Sequence, residues 1–182
     1  MTALGGLSLL TLIALVFAHF NYHYAEAQQQ QCDMSLWRHV YQPKRLPVID
    51  ICKTVSGTIV NVWHMKDGDA HINVKLDPQF ENLLKPANYA QQHGYLVVEV
   101  ICHWPTTHPP VVPYCQNFHQ NINIPPIGTH VTITGSYVLD KEHDNWAEIH
   151  PVTSIIPSSG GDNTSASAED TTSAPPPPPE LD

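Results

Sequence analysis

Alternating apolar and polar residues predict five β-strands. The first, "CKTVSGTIVNVWHM", alternates around Gly57, and the fourth, "THVTITGSYVLD", alternates around Gly135. The second is "HINVKL", the fifth is "WAEIHPVTSI", and the third is "YLVVEVICHW", which is apolar on both faces apart from Glu99. A glycine inside a long strand predicts a bulge or a sharp bend at that point.

These strands predict a small all-β domain. Five strands with glycine bends in two of them match a five-stranded Greek-key barrel of the OB type, and a small β-sandwich is the alternative. The pattern contains no long amphipathic helix, which argues against an α/β enzyme fold. A helical turn or two is expected before Pro86, and residues 105–126 are expected to form a disulfide-pinned loop where many OB folds place a helix.

The first 27 residues have the pattern of a secretory signal peptide. Apolar residues dominate from Leu4 to Phe20, and a small-x-small site predicts cleavage after Ala27. The apolar stretch is slightly shorter than the ~20 residues that span a bilayer, so an uncleaved anchor is the alternative. Cleavage predicts a secreted or cell-surface protein that keeps no membrane segment.

Residues 157–182 differ in composition from the rest of the chain. They carry five acidic residues, no basic residue and five consecutive prolines, and Leu181 is their one large apolar side chain. Such a composition cannot bury a core, so this segment is predicted to be a disordered tail rich in Pro, Ser and Thr. Asn163 begins a glycosylation sequon within it.

The cysteines are even in number, which suits the oxidising compartment of an exported protein. Four cysteines allow three pairings. The nearest-neighbour pairing, Cys32 with Cys52 and Cys102 with Cys115, closes the shortest loops. Each bridge is expected to contribute ~3 kcal/mol through the unfolded state. A zinc site is the other use of four thiolates, but the chain has no CxxC pair.

Charge limits the possible partners. The chain has a formal net charge of −9, and the predicted barrel domain, residues 28–156, carries eleven acidic against eight basic residues. This balance disfavours nucleic acid, whose binding depends on basic side chains at the phosphates. It leaves an unknown extracellular ligand, such as an oligosaccharide or a peptide, or a partner protein. The aromatic side chains that can stack on a ligand are Trp63, Tyr95, Trp104 and Tyr114.

The stretch "DKEHDNWAEIHPVTSI" concentrates acids and histidines. In an extended strand the side chains of Trp146, Glu148 and His150 share one face. The structural interpretation has Asp140 and His143 bonding the backbone of a turn, while Glu148 pairs with His150 or with a histidine of the second strand. The alternative is a site for a divalent metal such as zinc, copper or nickel, made of Asp69, His71, Asp140, His143, Glu148 and His150.

Several blocks together resemble an uncharacterised family of exported bacterial and archaeal proteins. They are Cys32 with "KRLPVIDICKTVSGTI", then "DGDAHINVKLD", "GYLVVEVIC" and "GTHVTITGSYVLDKEHDNWAEIHPVTSI". Members of that family have a cysteine pair around the RL segment, a DGDxH turn and a VLDxxHxWxEIHP ending. The resemblance implies that Cys32 pairs with Cys52, and it implies no activity. Relatives often have glycine where this chain has Asn145, a residue that tolerates the left-handed conformation of a tight turn.

The turn Asp67-Gly68-Asp69 is also similar to the first hairpin of the thermonucleases, which are OB-fold enzymes. An aspartate of that turn helps to hold calcium in the family. The chemistry also uses arginines to stabilise charge on the phosphate and a carboxylate to activate water. The mature chain has only Arg38 and Arg45, both outside the predicted strands, and it lacks the family's second acidic-arginine block. Asp-Gly is also a favourable sequence for a hairpin turn in the absence of any metal.

The sequence therefore predicts a secreted, disulfide-bonded, OB-like domain with a non-enzymatic binding or accessory role. The alternative is a metal-binding protein or a thermonuclease-like, metal-dependent hydrolase that uses the carboxylate and histidine set. The cofactor is unknown, with a divalent metal as the candidate. The chain has no HExxH, GxSxG, Walker or EF-hand signature.

Overall fold

The structure, a computed structural model, describes residues 32–158. Residues 1–31 and 159–182 lie outside the described part of the chain. The predicted signal peptide, the Asn163 sequon and all but the first two residues of the predicted tail therefore fall outside the described residues.

Five β-strands joined in one sheet make up most of residues 32–158, which confirms the prediction of a mostly β domain. They are β1 Val48–His64, β2 Ala70–Leu76, β3 Leu96–Val100, β4 His130–Asp140 and β5 Trp146–Pro157. β3 is shorter than predicted, because the chain turns at Cys102, whose φ is +48°. β5 is longer, and Ser158 continues the pairing by donating its backbone N–H to the His130 carbonyl.

Each strand hydrogen-bonds to two others. β1 pairs antiparallel with β2 and β4, β2 pairs antiparallel with β3, and β4 pairs antiparallel with β5. β3 and β5 run parallel, and this pair completes a ring of strands in the order β1-β2-β3-β5-β4. The sheet therefore has an inner face and an outer face.

The inner face holds the main apolar core. Ile59, Ile72, Val98, Ile133 and Ile149 belong to it, and each is at most 1% exposed. Successive side chains of a strand point to opposite faces. The residues between these core positions, His71 in β2 and Glu148 in β5 among them, therefore lie on the outer face.

Gly135 allows β4 and β5 to approach closely. A Cβ atom at this position would lie 2.6 Å from the carbonyl oxygen of Pro151. The register between the two strands shifts on both sides of Gly135, which confirms the bulge predicted there. At Gly57 the register with β2 and with β4 runs on without a shift, so the bulge predicted at this glycine is absent. A Cβ atom there would overlap the carbonyl oxygen of Lys75, so this glycine instead allows a close approach of two strands.

A second apolar cluster lies on the outer face, where residues 32–47 cover part of the sheet. We call residues 32–47 the N-terminal cover. It contains the 3-10 helices Met34–His39 and Pro43–Arg45. The cluster consists of Leu36, Val40, Leu46, Ile101 and Val138. The outer face is thus partly buried, which allows polar residues on it to be shielded from solvent.

Short helices connect the strands of the described chain. The 3-10 helix Pro78–Leu83 confirms the helical turn predicted before Pro86. The helix α1, Pro86–Gln91, was not predicted, although proline is favourable at the first position of a helix. The others are α2 Val112–Cys115 and the 3-10 helices Pro109–Val111 and Lys141–His143. Within residues 32–158, no helix is long and apolar enough to cross a membrane.

Both predicted disulfides are present. Cys32 joins Cys52 and Cys102 joins Cys115, each with a Cα–Cα distance of 5.4 Å. The first ties the N-terminal cover to β1. The second holds the long connection between β3 and β4, which confirms the disulfide-pinned loop expected there.

Candidate functional site

Strand pairing builds a group of polar side chains on the outer face. His71 lies opposite Trp63 of β1 and opposite Glu99 of β3, and β5 places Glu148 opposite Val97. The resulting group, which we call the outer polar layer, has six members that are each at most 8% exposed: His71, Asn73, Glu99, Asp140, Glu148 and His150.

His71 and Glu99 form a tightly bonded pair. The distance between His71 Nδ1 and Glu99 Oε1 is 2.7 Å. His71 Nε2 faces two oxygens, Asn73 Oδ1 at 3.1 Å and Gln92 Oε1 at 3.4 Å. Because both of these atoms are acceptors, Nε2 carries a proton. Nδ1 of the neutral ring then accepts a hydrogen bond from a protonated Glu99.

Burial has opposite effects on the two partners. It raises the pKa of Glu99 well above its usual range, and the nearby Glu148 adds to this effect. It lowers the pKa of His71. Both shifts favour the neutral forms, in agreement with the hydrogen-bond pattern. The pair therefore retains the proton on the glutamate at pH values where an exposed glutamate is ionised.

Glu148 lies at the centre of the layer. Its Oε2 accepts a hydrogen bond of 3.0 Å from Trp146 Nε1, and its Oε1 lies 3.3 Å from His150 Nδ1. The prediction that Trp146, Glu148 and His150 share one face is confirmed. Glu148 and His150 lie side by side as predicted, but Glu148 Oε1 and both ring nitrogens of His150 have no hydrogen-bond partner among the described residues. Ala147 and Ile149 point into the inner core, as the alternation requires.

Arg45 is the cation that faces these acids from the N-terminal cover. Its guanidinium bonds Asp140, and the two side chains are 10% and 1% exposed. Burial opposes the charged form, but Glu148 and Asp140 outweigh it and raise the pKa of Arg45. Conversely, burial opposes ionisation of Asp140, but its bond from His143 and the charge of Arg45 lower the pKa of this carboxyl group.

Asp140 also organises the turn between β4 and β5. Its Oδ1 accepts from the backbone N–H of Glu142 at 2.8 Å, and its Oδ2 lies 2.8 Å from His143 Nδ1. The His143 ring stacks on Trp146 at 3.9 Å. Asn145 has φ +63°, the left-handed conformation that its identity predicted. The predicted backbone bond is therefore confirmed for Asp140, whereas His143 bonds the Asp140 side chain rather than the backbone.

The Asp67-Gly68-Asp69 segment forms the turn between β1 and β2. Asp67 Oδ1 accepts from the backbone N–H of Asp69 at 2.9 Å, and Gly68 has φ +93°. Asp69 is itself buried, and its carboxylate accepts from the backbone N–H of Cys102 at 2.6 Å. Burial raises the pKa of Asp69 well above its usual range, and the charge of Asp67 adds to this effect. The hydrogen bonds and the backbone conformation of the turn thus account for the Asp67-Gly68-Asp69 motif.

The structure gives no support to the predicted metal site. Within residues 32–158, no group of three or more His, Cys, Asp or Glu side chains has an arrangement that can hold a metal ion. Three acids of the predicted set each bond to at least one partner outside it: Asp140 to Arg45, Glu148 to Trp146 and Asp69 to the Cys102 amide. The set is therefore divided among separate structural contacts.

We expect the variant Glu99→Gln to gain stability relative to the wild type as pH rises. Because the pKa of Glu99 is higher in the folded than in the unfolded state, protonated Glu99 contributes to the stability of the fold. This contribution is fully present below the unfolded-state pKa of 4.5 and is lost as pH rises through the folded-state pKa. Glutamine keeps a donor for His71 Nδ1 and does not titrate. Urea unfolding of both proteins at several pH values between about 4 and about 8 measures the difference.

Glu142→Gln is the matched control, because Glu142 is exposed on the 3-10 turn. The difference in unfolding free energy between Glu99→Gln and the wild type should grow with pH, whereas the control should show no such trend. A difference for Glu99→Gln that stays constant over this range would contradict a protonated Glu99.

The four aromatic residues predicted for ligand binding do not form one platform. Trp63 and Trp104 pack against histidines, and Tyr114 packs against another tyrosine. Their neighbours are His71 at 5.6 Å from Trp63, His64 at 4.5 Å from Trp104, and Tyr41 at 5.5 Å from Tyr114. Tyr95 lies elsewhere, in the connection between α1 and β3, where it lines a surface pocket.

This pocket has a volume of about 340 Å³ and lies where β2 ends and β3 begins. Its volume is within the range of small-ligand sites. Tyr89 of α1 is 60% exposed at its edge. A Cβ atom on Gly94 would lie 3.2 Å from the Tyr89 ring. The absence of a side chain at Gly94 therefore allows the Tyr89 ring to pack against the backbone at this position. The lining residues are Lys75, Leu76, Glu81, Leu84, Tyr89, His93, Gly94 and Tyr95.

Asn88 fixes the wall of this pocket. It is fully buried on the inward side of α1. Its side chain accepts from the backbone N–H of Ala147 at 2.7 Å and of Lys85 at 3.0 Å, and donates to the carbonyls of Ala147 and Tyr95. One asparagine thus holds α1 to β5, to its own first turn and to the Tyr95 backbone. Tyr89, the next residue in the chain, is presented outward.

Comparisons of the chain with protein-family models, with curated proteins and with solved structures found no match. The resemblance to the exported bacterial and archaeal family therefore stays a prediction.

Proposed function

We propose that this chain is a secreted, non-enzymatic binding domain built on an OB-type Greek-key barrel. The cyclic strand order with its one parallel pair supports the OB topology. Two disulfides in a small β domain support an extracytoplasmic location. Membership of the exported bacterial and archaeal family is part of this proposal, on the motifs quoted above.

The pocket at Tyr89 and Tyr95 is the binding site in this proposal, and a neutral oligosaccharide is the ligand. The observation that carries it is an open pocket with an exposed tyrosine ring beside polar side chains. A tyrosine offers a flat apolar face to a sugar ring and a hydroxyl group at its edge. Lys75, Glu81 and His93 supply hydrogen-bonding groups around it.

Charge favours a neutral ligand over an anionic one. The chain carries a net charge of −9, which repels polyanions such as nucleic acids and acidic polysaccharides. A sugar without charged groups meets no such repulsion, and OB barrels commonly bind oligosaccharides as well as oligonucleotides. In this chain, however, much of the outer face of β2 and β3 is buried, so the ligand is assigned to the pocket at their ends.

Binding is favoured over catalysis by the location of the ionisable groups. Glycoside hydrolysis in most enzymes requires two carboxyl groups that flank the scissile bond. Among the described residues, Glu81 is the one carboxylate that lines the pocket. Glu99 and Glu148 are buried in the outer polar layer and contact His71, Trp146 and His150.

We expect Tyr89→Ala to weaken binding of neutral hexasaccharides by about tenfold, which corresponds to about 1.4 kcal/mol. The variant removes the exposed ring and leaves the buried contacts of Asn88 unchanged. Immobilised neutral hexasaccharides of defined linkage, probed with the wild type and the variant, measure the effect. Tyr114→Ala is the control, because this tyrosine packs against Tyr41 away from the pocket.

Equal binding by the wild type and Tyr89→Ala would exclude the pocket as the site. If no neutral saccharide is bound but a peptide is bound in a Tyr89-dependent manner, the pocket assignment stands and the ligand class is wrong.

A further inference from the structure

The connection between β3 and β4 folds back so that its first residues lie beside residues 119–120. The Gln120 side chain, which is 6% exposed, makes two hydrogen bonds at this point. Its oxygen accepts from the backbone N–H of Ile101 at 2.8 Å, and its nitrogen donates to the Val152 carbonyl at 2.6 Å. Residues 101–103 and 119–120 are therefore held against each other, and the second disulfide closes the same connection.

Two histidines lie across this contact, and each bonds the backbone next to the other. His103 Nδ1 lies 3.2 Å from the carbonyl oxygen of Gln120. His119 Nδ1 lies 3.2 Å from the carbonyl oxygen of Cys102. A carbonyl oxygen can only accept a hydrogen bond, so each Nδ1 carries a proton. Nε2 of the neutral ring then has a free lone pair, and neither Nε2 bonds another group within residues 32–158.

The two rings have the spacing that a shared metal ion requires. Their centroids lie 5.6 Å apart, and their planes are inclined by 28°. Two imidazoles on one zinc ion, with Zn–N bonds of about 2.1 Å at a tetrahedral angle, have centroids roughly 5–6 Å apart. Metal-binding histidines usually donate their other ring N–H to a carbonyl or a carboxylate, as both rings do here. The Trp104 ring also packs edge-on against His103 at 4.6 Å, which restricts the orientation of this imidazole.

We propose that His103 and His119 bind one divalent transition-metal ion, such as Zn²⁺, through their Nε2 atoms. Imidazole suits zinc, copper and nickel, and the net charge of −9 attracts cations. Within residues 32–158, no three His, Cys, Asp or Glu side chains are grouped to hold an ion, so water completes the coordination. This pair lies outside the carboxylate and histidine set predicted from the sequence. The ion links the two ends of the β3–β4 connection, as a reversible addition to the disulfide.

Calorimetric titration of the purified full chain with Zn²⁺ tests the site. His103→Gln and His119→Gln should each raise the Kd for Zn²⁺ by about tenfold or more, because a single imidazole does not chelate the ion. Glutamine keeps an N–H group for the backbone carbonyl in each variant. His93→Gln is the matched control, because His93 is exposed and lies in the Tyr89 pocket, and it should leave the Kd unchanged. Circular dichroism without metal checks that each variant is folded.

Nitrogen NMR of the histidine rings tests the same site in the unsubstituted protein. At a pH where both rings are neutral, His103 and His119 should show the Nδ1–H tautomer, and Zn²⁺ should shift the Nε2 resonance of both. A Zn²⁺ Kd that is unchanged in either folded variant would overturn the proposal. So would an Nε2–H tautomer in either ring, or a Zn²⁺-induced shift at only one of the two histidines, which is the result expected of adventitious binding.

Discussion

Replacement of Arg45 by methionine is expected to lower the free energy of unfolding by about 3–5 kcal/mol. Asp140 is 1% exposed and its charge is balanced by this guanidinium, so the variant leaves a buried carboxylate without its cation. Methionine has a similar length and no charge, and therefore little packing is lost. Guanidinium chloride unfolding of the two proteins at neutral pH measures the difference.

Two further variants separate the ion pair from general effects of substitution. Arg38→Met is the control, because Arg38 is exposed and donates to the Ser35 carbonyl rather than to a buried acid. The double variant Arg45→Met, Asp140→Asn removes both charges and should recover part of the loss, since the asparagine amide keeps an oxygen for the Glu142 backbone N–H. A loss below about 1 kcal/mol in Arg45→Met would show that the pair behaves as an exposed salt bridge.

Asn88→Ala is expected to destabilise the protein by about 3 kcal/mol, because four hydrogen bonds made by one buried side chain are lost. The Ala147 amide, which pairs at 2.7 Å, is left without this partner in a buried position. The same change frees α1 from β5. We therefore expect faster hydrogen exchange at the amides of α1 and weaker saccharide binding by the Tyr89 pocket.

Asn82→Ala provides the matched control for this prediction. Asn82 is exposed on the neighbouring 3-10 helix, so its loss should change neither stability nor exchange by a measurable amount. If Asn88→Ala retains wild-type stability and α1 exchange remains slow, the anchor assigned to Asn88 does not hold α1 in place.

Local pattern was sufficient to place several side chains correctly. Because side chains alternate along a strand, "WAEIHP" alone places Trp146, Glu148 and His150 on one face, and the structure brings them into contact. The Asp-Gly turn and the left-handed Asn145 follow from residue chemistry in the same way. Each of these features depends on neighbours within a few positions of the chain.

Contacts between residues that are far apart in the sequence could not be predicted from the local pattern. Arg45 and Asp140 are 95 positions apart, and nothing near Arg45 in the sequence indicates a buried partner. Gln92 reaches Asn73 and His71 only because α1 packs back against the sheet. Glu99 did give a local signal, since it interrupts an apolar strand, but its partner His71 is set by the β2–β3 register.

The metal prediction was unsupported for a related reason. It grouped acids and histidines by strand position and assumed that their polar atoms were available to an ion. The structure supplies other partners, namely the Arg45 guanidinium, the Trp146 indole and the Cys102 amide. Conversely, the pocket was found only in part, through Tyr95, because Tyr89 lies on a helix that was not predicted.

The most direct test of the proposed function is to map where a neutral saccharide contacts the protein. Titration of the isotope-labelled protein with a neutral hexasaccharide, followed by amide chemical shifts, identifies the affected residues. We predict that the largest shifts occur at Lys75, Leu76, Gly94 and Tyr95, around the pocket, and that they disappear in Tyr89→Ala. Shifts centred instead on Trp104 or Tyr114, or none at saturating hexasaccharide, would contradict a saccharide-binding pocket at Tyr89.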